Sequence, residues 1–188
     1  MKTTLSFLLL VSTSLAQNFV DICNDSSGNE CCATEGMEDH TYWVMASTGT
    51  WTSLDIECRI QKTGAKLAVF ETRRENDCMI KYLLDEYRGD TAKNYAIGLK
   101  ALDNYAGVYE WHRVDNSAPD FAATLSFTNW AVSAPTGKDC VYITVGEGNT
   151  KNGMWQDVVC SSSSLYGICE YEPTTTKTSN SSSESIDN

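Results

Sequence analysis

The side chains that could do chemistry in this chain are, first, eight cysteines: Cys23, Cys31, Cys32, Cys58, Cys78, Cys140, Cys160 and Cys169. A cysteine can serve as nucleophile, metal ligand or half of a disulfide, and compartment and spacing decide which. The two histidines, His40 and His112, lie too far apart for a finger-type zinc pair. No Gly-x-Ser-x-Gly, His-Glu-x-x-His or phosphate-loop pattern occurs, and paired carboxylates are no more frequent than an acidic chain requires. The sequence thus shows no catalytic apparatus, and the protein is not expected to be an enzyme. The cysteines read as disulfide staples of an oxidising compartment, although eight of them allow about 105 complete pairings that spacing alone does not narrow.

Charge removes further classes of partner. With Lys+Arg 14 against Asp+Glu 25, the 188 residues carry a formal net charge of −11, which repels nucleic-acid phosphates and anionic membranes. At the start, Lys2, the apolar run Leu5–Val11 and the small-residue exit at Ser14-Leu15-Ala16 read as a signal peptide over residues 1–16. That run is well short of the roughly 18–20 apolar residues of a membrane span. A secreted, extracellular protein without membrane insertion is expected. Residues 172–188, rich in Ser, Thr, Asn and acidic residues, are expected to be a disordered tail. Asn24 and Asn180 each begin a glycosylation sequon. Residues 17–40 form a cysteine-containing N-terminal segment, and residues 41–171 read as one domain without internal repeats.

The elements that must position these residues are short. A first helix is expected after Thr52, with Asp55 completing a capping box; it carries Leu54, Ile56, Cys58 and Ile60 and stops by Gly64. A strand Leu67–Phe70 follows. Thr72 and Glu75 open a second helix whose stripe of Met79, Ile80, Leu83, Leu84 and Tyr87 ends at Gly89. Tyr95–Leu99, Val108–Trp111, Val141–Val145 and Leu165–Tyr171 are aromatic or β-branched and read as strands, while Val114–Asp139 lacks periodicity and reads as a long loop. Two helices followed by short strands make an α+β domain.

Trp51 and Cys58, Gly64-Ala-Lys-Leu-Ala-Val-Phe70, Tyr95-Ala-Ile-Gly-Leu99, Gly107-Val-Tyr-Glu-Trp111, Phe127-Thr-Asn-Trp130, Asp139-Cys-Val141, Trp155-Gln-Asp157, Cys160 and Cys169 occur in this order. Over Tyr42 to Tyr171 the chain resembles a C-type lectin-like domain. The resemblance implies a disulfide-stapled α+β fold with two helices, short antiparallel strands and a long loop. It also implies the pairs Cys58–Cys169 and Cys140–Cys160. Thr41 stands where the family often has a cysteine of an N-terminal hairpin. Cys23, Cys31, Cys32 and Cys78 remain. Adjacent Cys31 and Cys32 are poorly placed to pair with each other, so one is expected to take Cys23 and the other Cys78, the alternative being an intermolecular bridge.

Sugar-binding members of this family hold calcium through a Glu-Pro-Asn or Gln-Pro-Asp triplet, a nearby Glu and the Asn-Asp of Trp-Asn-Asp. Here the first motif reads Ala134-Pro135-Thr136, Lys138 precedes Asp139, and the second reads Trp155-Gln156-Asp157. A methyl replaces a carboxylate, and a lysine would oppose the ion. Gln156 and Asp157 are two possible ligands against the about 6 to 8 oxygens calcium takes. Two readings follow: an altered, weak metal site, or an Asp157 that satisfies loop backbone amides, with the ligand count favouring the second. No cofactor is expected, and any calcium binding is expected to be weak. The leading functional reading is a recognition module for glycan or extracellular protein, monomeric or disulfide-linked, with Asn129, Thr136, Lys138, Gln156 and Asp157 as candidate ligand-binding residues. The alternative is an extracellular structural or matrix protein linked by disulfides. Among Trp43, Trp51, Trp111, Trp130 and Trp155, only an exposed ring could stack on a sugar.

Overall fold

The structure, a computed structural model, describes residues 40–86, 91–102, 108–112 and 127–172. The expectations for the signal peptide, the N-terminal segment before His40, both sequons, the tail beyond Glu172, Tyr87, Gly89 and most of the first part of the long loop lie outside these residues. Two helices and seven strands are present among them, in the order β1 (Thr41–Val44), α1 (Trp51–Gln61), β2 (Lys66–Leu67), α2 (Arg73–Glu86), β3 (Lys93–Ala101), β4 (Tyr109–Trp111), β5 (Cys140–Val145), β6 (Trp155–Val158) and β7 (Tyr166–Tyr171). The α+β class follows directly.

Helix α1 begins two residues earlier than its sequence signal. Thr50 is the N-cap: its Oγ1 accepts from the Ser53 amide (3.1 Å) while its own amide donates to Ser53 Oγ (2.9 Å). The expected Thr52–Asp55 box does not form because Asp55 is turned inward, where it accepts from Arg59 and faces His112. Ile56 and Ile60, in contrast, lie on the exposed side of the helix. Past the last turn, Gly64 adopts φ 87°, a left-handed conformation that glycine enters without a Cβ clash. Helix α2 has the expected cap, with the Glu75 amide donating to Thr72 Oγ1 (3.2 Å) and the Thr72 amide to Glu75 Oε2 (3.1 Å). The expected strand Leu67–Phe70 shrinks to Lys66–Leu67, because the Ala68 and Val69 amides donate to Ile168 O and to the Glu170 carboxylate as the chain turns toward α2.

The sheet runs β1-β7-β3-β5-β6, with β2 also on β7 and β4 also on β3. β7 is its organising strand. It pairs antiparallel with β1 from Thr41↔Tyr171 to Val44↔Ile168, antiparallel with β2, and parallel with β3 at Tyr95↔Tyr166. Strands β1 and β6 escape a periodicity reading because each is only four residues long.

Alternation along the strands divides the interior into two cores. One, with Met79 and Leu83 of α2, gathers Tyr95, Ile97, Trp111, Val141, Ile143 and Trp155. The other, with Trp51, Leu54 and Cys58 of α1, gathers Trp43, Leu67, Cys140 and Cys169. The disulfides Cys58–Cys169 (S–S 2.07 Å) and Cys140–Cys160 (S–S 1.94 Å) are both present, the first closing α1 onto β7. Cys78 is also disulfide-bonded, to a partner outside the described residues.

Gly98 lies where β3 passes the β2 connection. A Cβ there would sit 2.6 Å from the Leu67 carbonyl oxygen, and the Gly98 amide already donates to Ala68 O at 2.8 Å. Gly98→Ala is therefore expected to destabilise the domain by about 1–3 kcal/mol through overpacking against backbone that cannot yield. A thermal melt checks this, with a fall of several degrees in Tm as the expected reading.

Candidate functional site

The long loop is built around the short edge strand β6. Trp155 and Asp157 share one face of that strand, and Gln156 and Val158 the other, since successive side chains in a strand point to opposite sides. Trp155 is fully buried among Trp111, Phe127 and Trp130, with ring centroids 5.5, 5.4 and 5.6 Å away and near-perpendicular planes. Its indole N–H donates to Asn76 Oδ1 of α2 at 3.1 Å. This places Asp157, two residues on, beneath the loop.

Residues 129–131 run beside β6, with the Trp155 amide donating to Asn129 O (2.7 Å) and the Ala131 amide to Trp155 O (2.9 Å). A turn follows, closed by the Ala134 amide on Ala131 O (2.9 Å), with Ser133 at φ 77° and a cis bond between Ala134 and Pro135. The chain then curls over Asp157. The Thr136 amide donates to both carboxylate oxygens (2.8 Å each), Thr136 Oγ1 donates to Oδ2 (2.9 Å), and the Lys138 amide donates to Oδ2 (2.8 Å). From the other side, Tyr109 O–H donates to Lys138 O at 2.7 Å.

The electrostatics follow from these bonds. Burial would raise the Asp157 carboxyl, but the Lys138 amide, then the Thr136 amide and hydroxyl, hold it below its ordinary value. Tyr109 is pushed up to about 12, chiefly by burial and next by the charges of Asp157 and Asp139. The groups converging on Asp157 are two amide N–H donors, which offer a cation no lone pair, and the Thr136 hydroxyl, whose proton is given to Oδ2. Among the described residues no group of three or more His, Cys, Asp or Glu side chains is placed to hold a metal ion. The space over the carboxylate is filled by the loop's own amides.

The candidate ligand-binding residues separate accordingly. Thr136 and Lys138 are gathered over Asp157, which is only 7% exposed and so acts beneath the surface. Asn129 ties the loop down by donating to Gly153 O at 2.8 Å. Gln156 is not part of this cluster: its Nε2 donates to Thr144 Oγ1 (3.2 Å) on the opposite face, and Thr144 in turn donates to Asn94 (2.9 Å). Of the five tryptophans, Trp130 alone has a partly exposed surface. Val132 is 88% exposed, and it is followed by exposed Ser133, Pro135, Thr136, Lys138 and Asp139. Sequence reasoning missed Asn76 and Tyr109, whose partners stand far away in the chain. Both histidines, isolated in sequence, have carboxylate neighbours: Asp55 for His112 at 3.5 Å and Glu170 for His40 at 2.7 Å.

A two-helix, disulfide-closed α+β domain with a long loop pinned over its edge strand β6 defines a class of fold, and its relatives give that class a name. Residues 47–171 match the Lectin C-type domain family, and the chain belongs to it. The chain is 27% identical over 156 residues to mouse asialoglycoprotein receptor 2, with 77% of this chain and 44% of that receptor aligned. It is 24% identical over 168 residues to a snaclec anticoagulant protein of Deinagkistrodon acutus, covering 88% of this chain and 92% of that one. Among solved structures, human lithostathine superposes with TM-score 0.55 at 21% identity, over 74% of this chain and 88% of that chain. The chain thus spans less than half the length of the mouse receptor.

Asp157→Ala is expected to cost about 2–3 kcal/mol, since it strands the Thr136 and Lys138 amides, and to release the loop while Trp155 stays packed. Because the carboxyl is lowered on folding, its contribution is complete above its unfolded value of 3.8 and is lost as pH falls through the lower folded value. Hydrogen exchange at amides 136 and 138 checks both statements: protection should persist at pH 4 in the native protein and be absent in the variant.

Proposed function

We propose that this protein is a secreted recognition module that binds a glycan or an extracellular protein through the long-loop face without calcium. The observation that carries this reading is the Asp157 carboxylate bonded to the Thr136 and Lys138 amides. A loop held by its own hydrogen bonds presents a fixed surface without an ion, and pre-organisation lowers the entropy lost on binding. Membership of the lectin family, and relatives that include an asialoglycoprotein receptor and a snaclec, support recognition as the task. Secretion is supported by the two disulfides and by the leader-like residues 1–16. No helix among the described residues is long and apolar enough to cross a membrane.

The contact surface is the exposed run Val132–Asp139 with the edge of Trp130. Val132, Pro135 and Trp130 offer apolar contact, Lys138 offers a charged donor, and the Thr136 hydroxyl, its proton given to Asp157, offers an acceptor to a ligand hydroxyl. Asp157 acts as the positioning residue beneath them.

A glycan array and an extracellular-protein screen, each run with calcium and with chelator, test the proposal. Binding should be the same in both conditions. Val132→Asp or Lys138→Glu should weaken it by on the order of tenfold or more, about 1.4 kcal/mol, whereas Ile60→Asp on α1 should leave it unchanged. Calcium at about 1 mM should leave the melting curve in place, since a site weaker than about 10 mM adds less than about 0.1 kcal/mol. Loss of binding in chelator, or a calcium-dependent rise in Tm, would falsify the calcium-free reading.

A further inference from the structure

Away from the loop, the end of the domain where β1 meets β7 contains a buried carboxylate that the recognition surface does not use. Glu170 of β7 is 2% exposed. Its Oε1 accepts from His40 Nδ1 (2.7 Å) and from Tyr42 O–H (3.1 Å), and its Oε2 accepts from the Val69 amide (2.8 Å). One carboxylate therefore joins the residue leading into β1, β1 itself, and the connection from β2 to α2. His40 Nε2 faces Glu172 at 3.8 Å, and Lys66 of β2 faces the same Glu172 at 3.6 Å. Glu75 in the first turn of α2 lies in the field of Glu170, and also of Glu71 just before the helix.

Most surface ion pairs contribute little because water screens them. This one differs in having its acid inside the protein and its base half-buried, with His40 17% exposed against 2% for Glu170. A carboxylate in such a place is stabilised by a partner that carries a full positive charge, and histidine can change that charge near neutral pH. His40 directly precedes β1 and directly follows the sequence segment that carries Cys23, Cys31 and Cys32.

We propose that His40 and Glu170 form a pH-operated clasp on the β1–β7 end of the domain, tight when His40 is protonated and slack when it is neutral. The clasp acts on the fold, and its truth does not depend on the calcium-free reading of the loop. The direction follows from linkage. The bond to Glu170 raises the His40 pKa; burial opposes this, and the charges of Glu170 and Glu172 add to it. A base raised on folding contributes stability fully below its unfolded value of 6.5, and that stability is lost as pH rises through the higher folded value. β1 should therefore be held harder at pH 6 than at pH 8.5, the reverse of the acid loosening expected at Asp157.

With only two histidines in the chain, imidazole resonances of the full-length protein can be assigned with a single His112→Asn variant and followed by NMR from pH 5 to 9. His40 is expected to titrate above 6.5, with hydrogen exchange at the β1 amides speeding up, beyond the intrinsic base-catalysed rate, across the same range. His40→Asn should remove a Tm difference of about 2 °C or more between pH 6 and pH 8.5, and Glu170→Gln, if it folds, should return the His40 titration to an ordinary value. An His40 that titrates at or below 6.5, or a His40→Asn protein that keeps the whole difference in Tm, would overturn the clasp. The wild-type titration decides the matter even if Glu170→Gln does not fold.

Discussion

The structure depends most on the placement of β7 between β1, β2 and β3, because this strand brings the last part of the domain against its first. Thr41 pairs with Tyr171, and Cys169 is bonded to Cys58 across a sequence separation of 111 residues. Closing a loop of that length in the unfolded chain removes entropy worth roughly 4–5 kcal/mol in the chain-entropy account. Once β7 is fixed, α1 is held on one side of the sheet by the disulfide. On the other side, β3 can extend toward β5 and the core that α2 covers. The long loop then projects from a frame whose ends are already tied.

Each buried polar residue in that frame sits at a seam between elements. Asp55 of α1 meets His112 beyond β4 and the Leu67 amide of β2; Asn76 of α2 receives the Trp155 indole of β6; Asp157 of β6 receives the loop; Glu170 of β7 receives β1 and the Val69 amide. A buried polar group without a partner is costly, so each of these contacts disfavours arrangements in which the two elements slide apart. Apolar packing drives collapse without regard to direction, whereas these bonds specify register. The same logic applies at Asp157, where the seam is between strand β6 and the loop proposed as the contact surface.

The period-two geometry of β6 explains why that surface can vary without harming the core. Trp155 is embedded in aromatic rings and Asp157 lies just outside them, so the loop above Asp157 is supported from below while its own side chains from Val132 to Asp139 face solvent. Substituting those side chains alters the exposed chemistry of the loop without opening a cavity. Gln156, next to Asp157 in sequence, belongs to a different surface, where it joins Thr144 and Asn94 across β5 and β3.

By itself the sequence determined the class of fold, the two helices and the longer strands, since these rest on local signals: the Thr72–Glu75 cap, the apolar stripe of α2, and β-branched runs such as Val141–Val145. The motif order pointed to the family, and through it to the two disulfide pairs. Counting oxygen ligands around Pro135 and Asp157 favoured an Asp157 occupied by loop amides. Only the tertiary structure decided which amides those are, that Gln156 turns away from them, and that Thr50 rather than Thr52 caps α1 once Asp55 is drawn to His112. It also decided that His40, alone in sequence, meets a glutamate 130 residues away. The physical reason is common to all of these. Caps and periodicities are set by neighbours within a turn or two, whereas the partner of a buried charge is set by which distant strands the folded chain lays side by side.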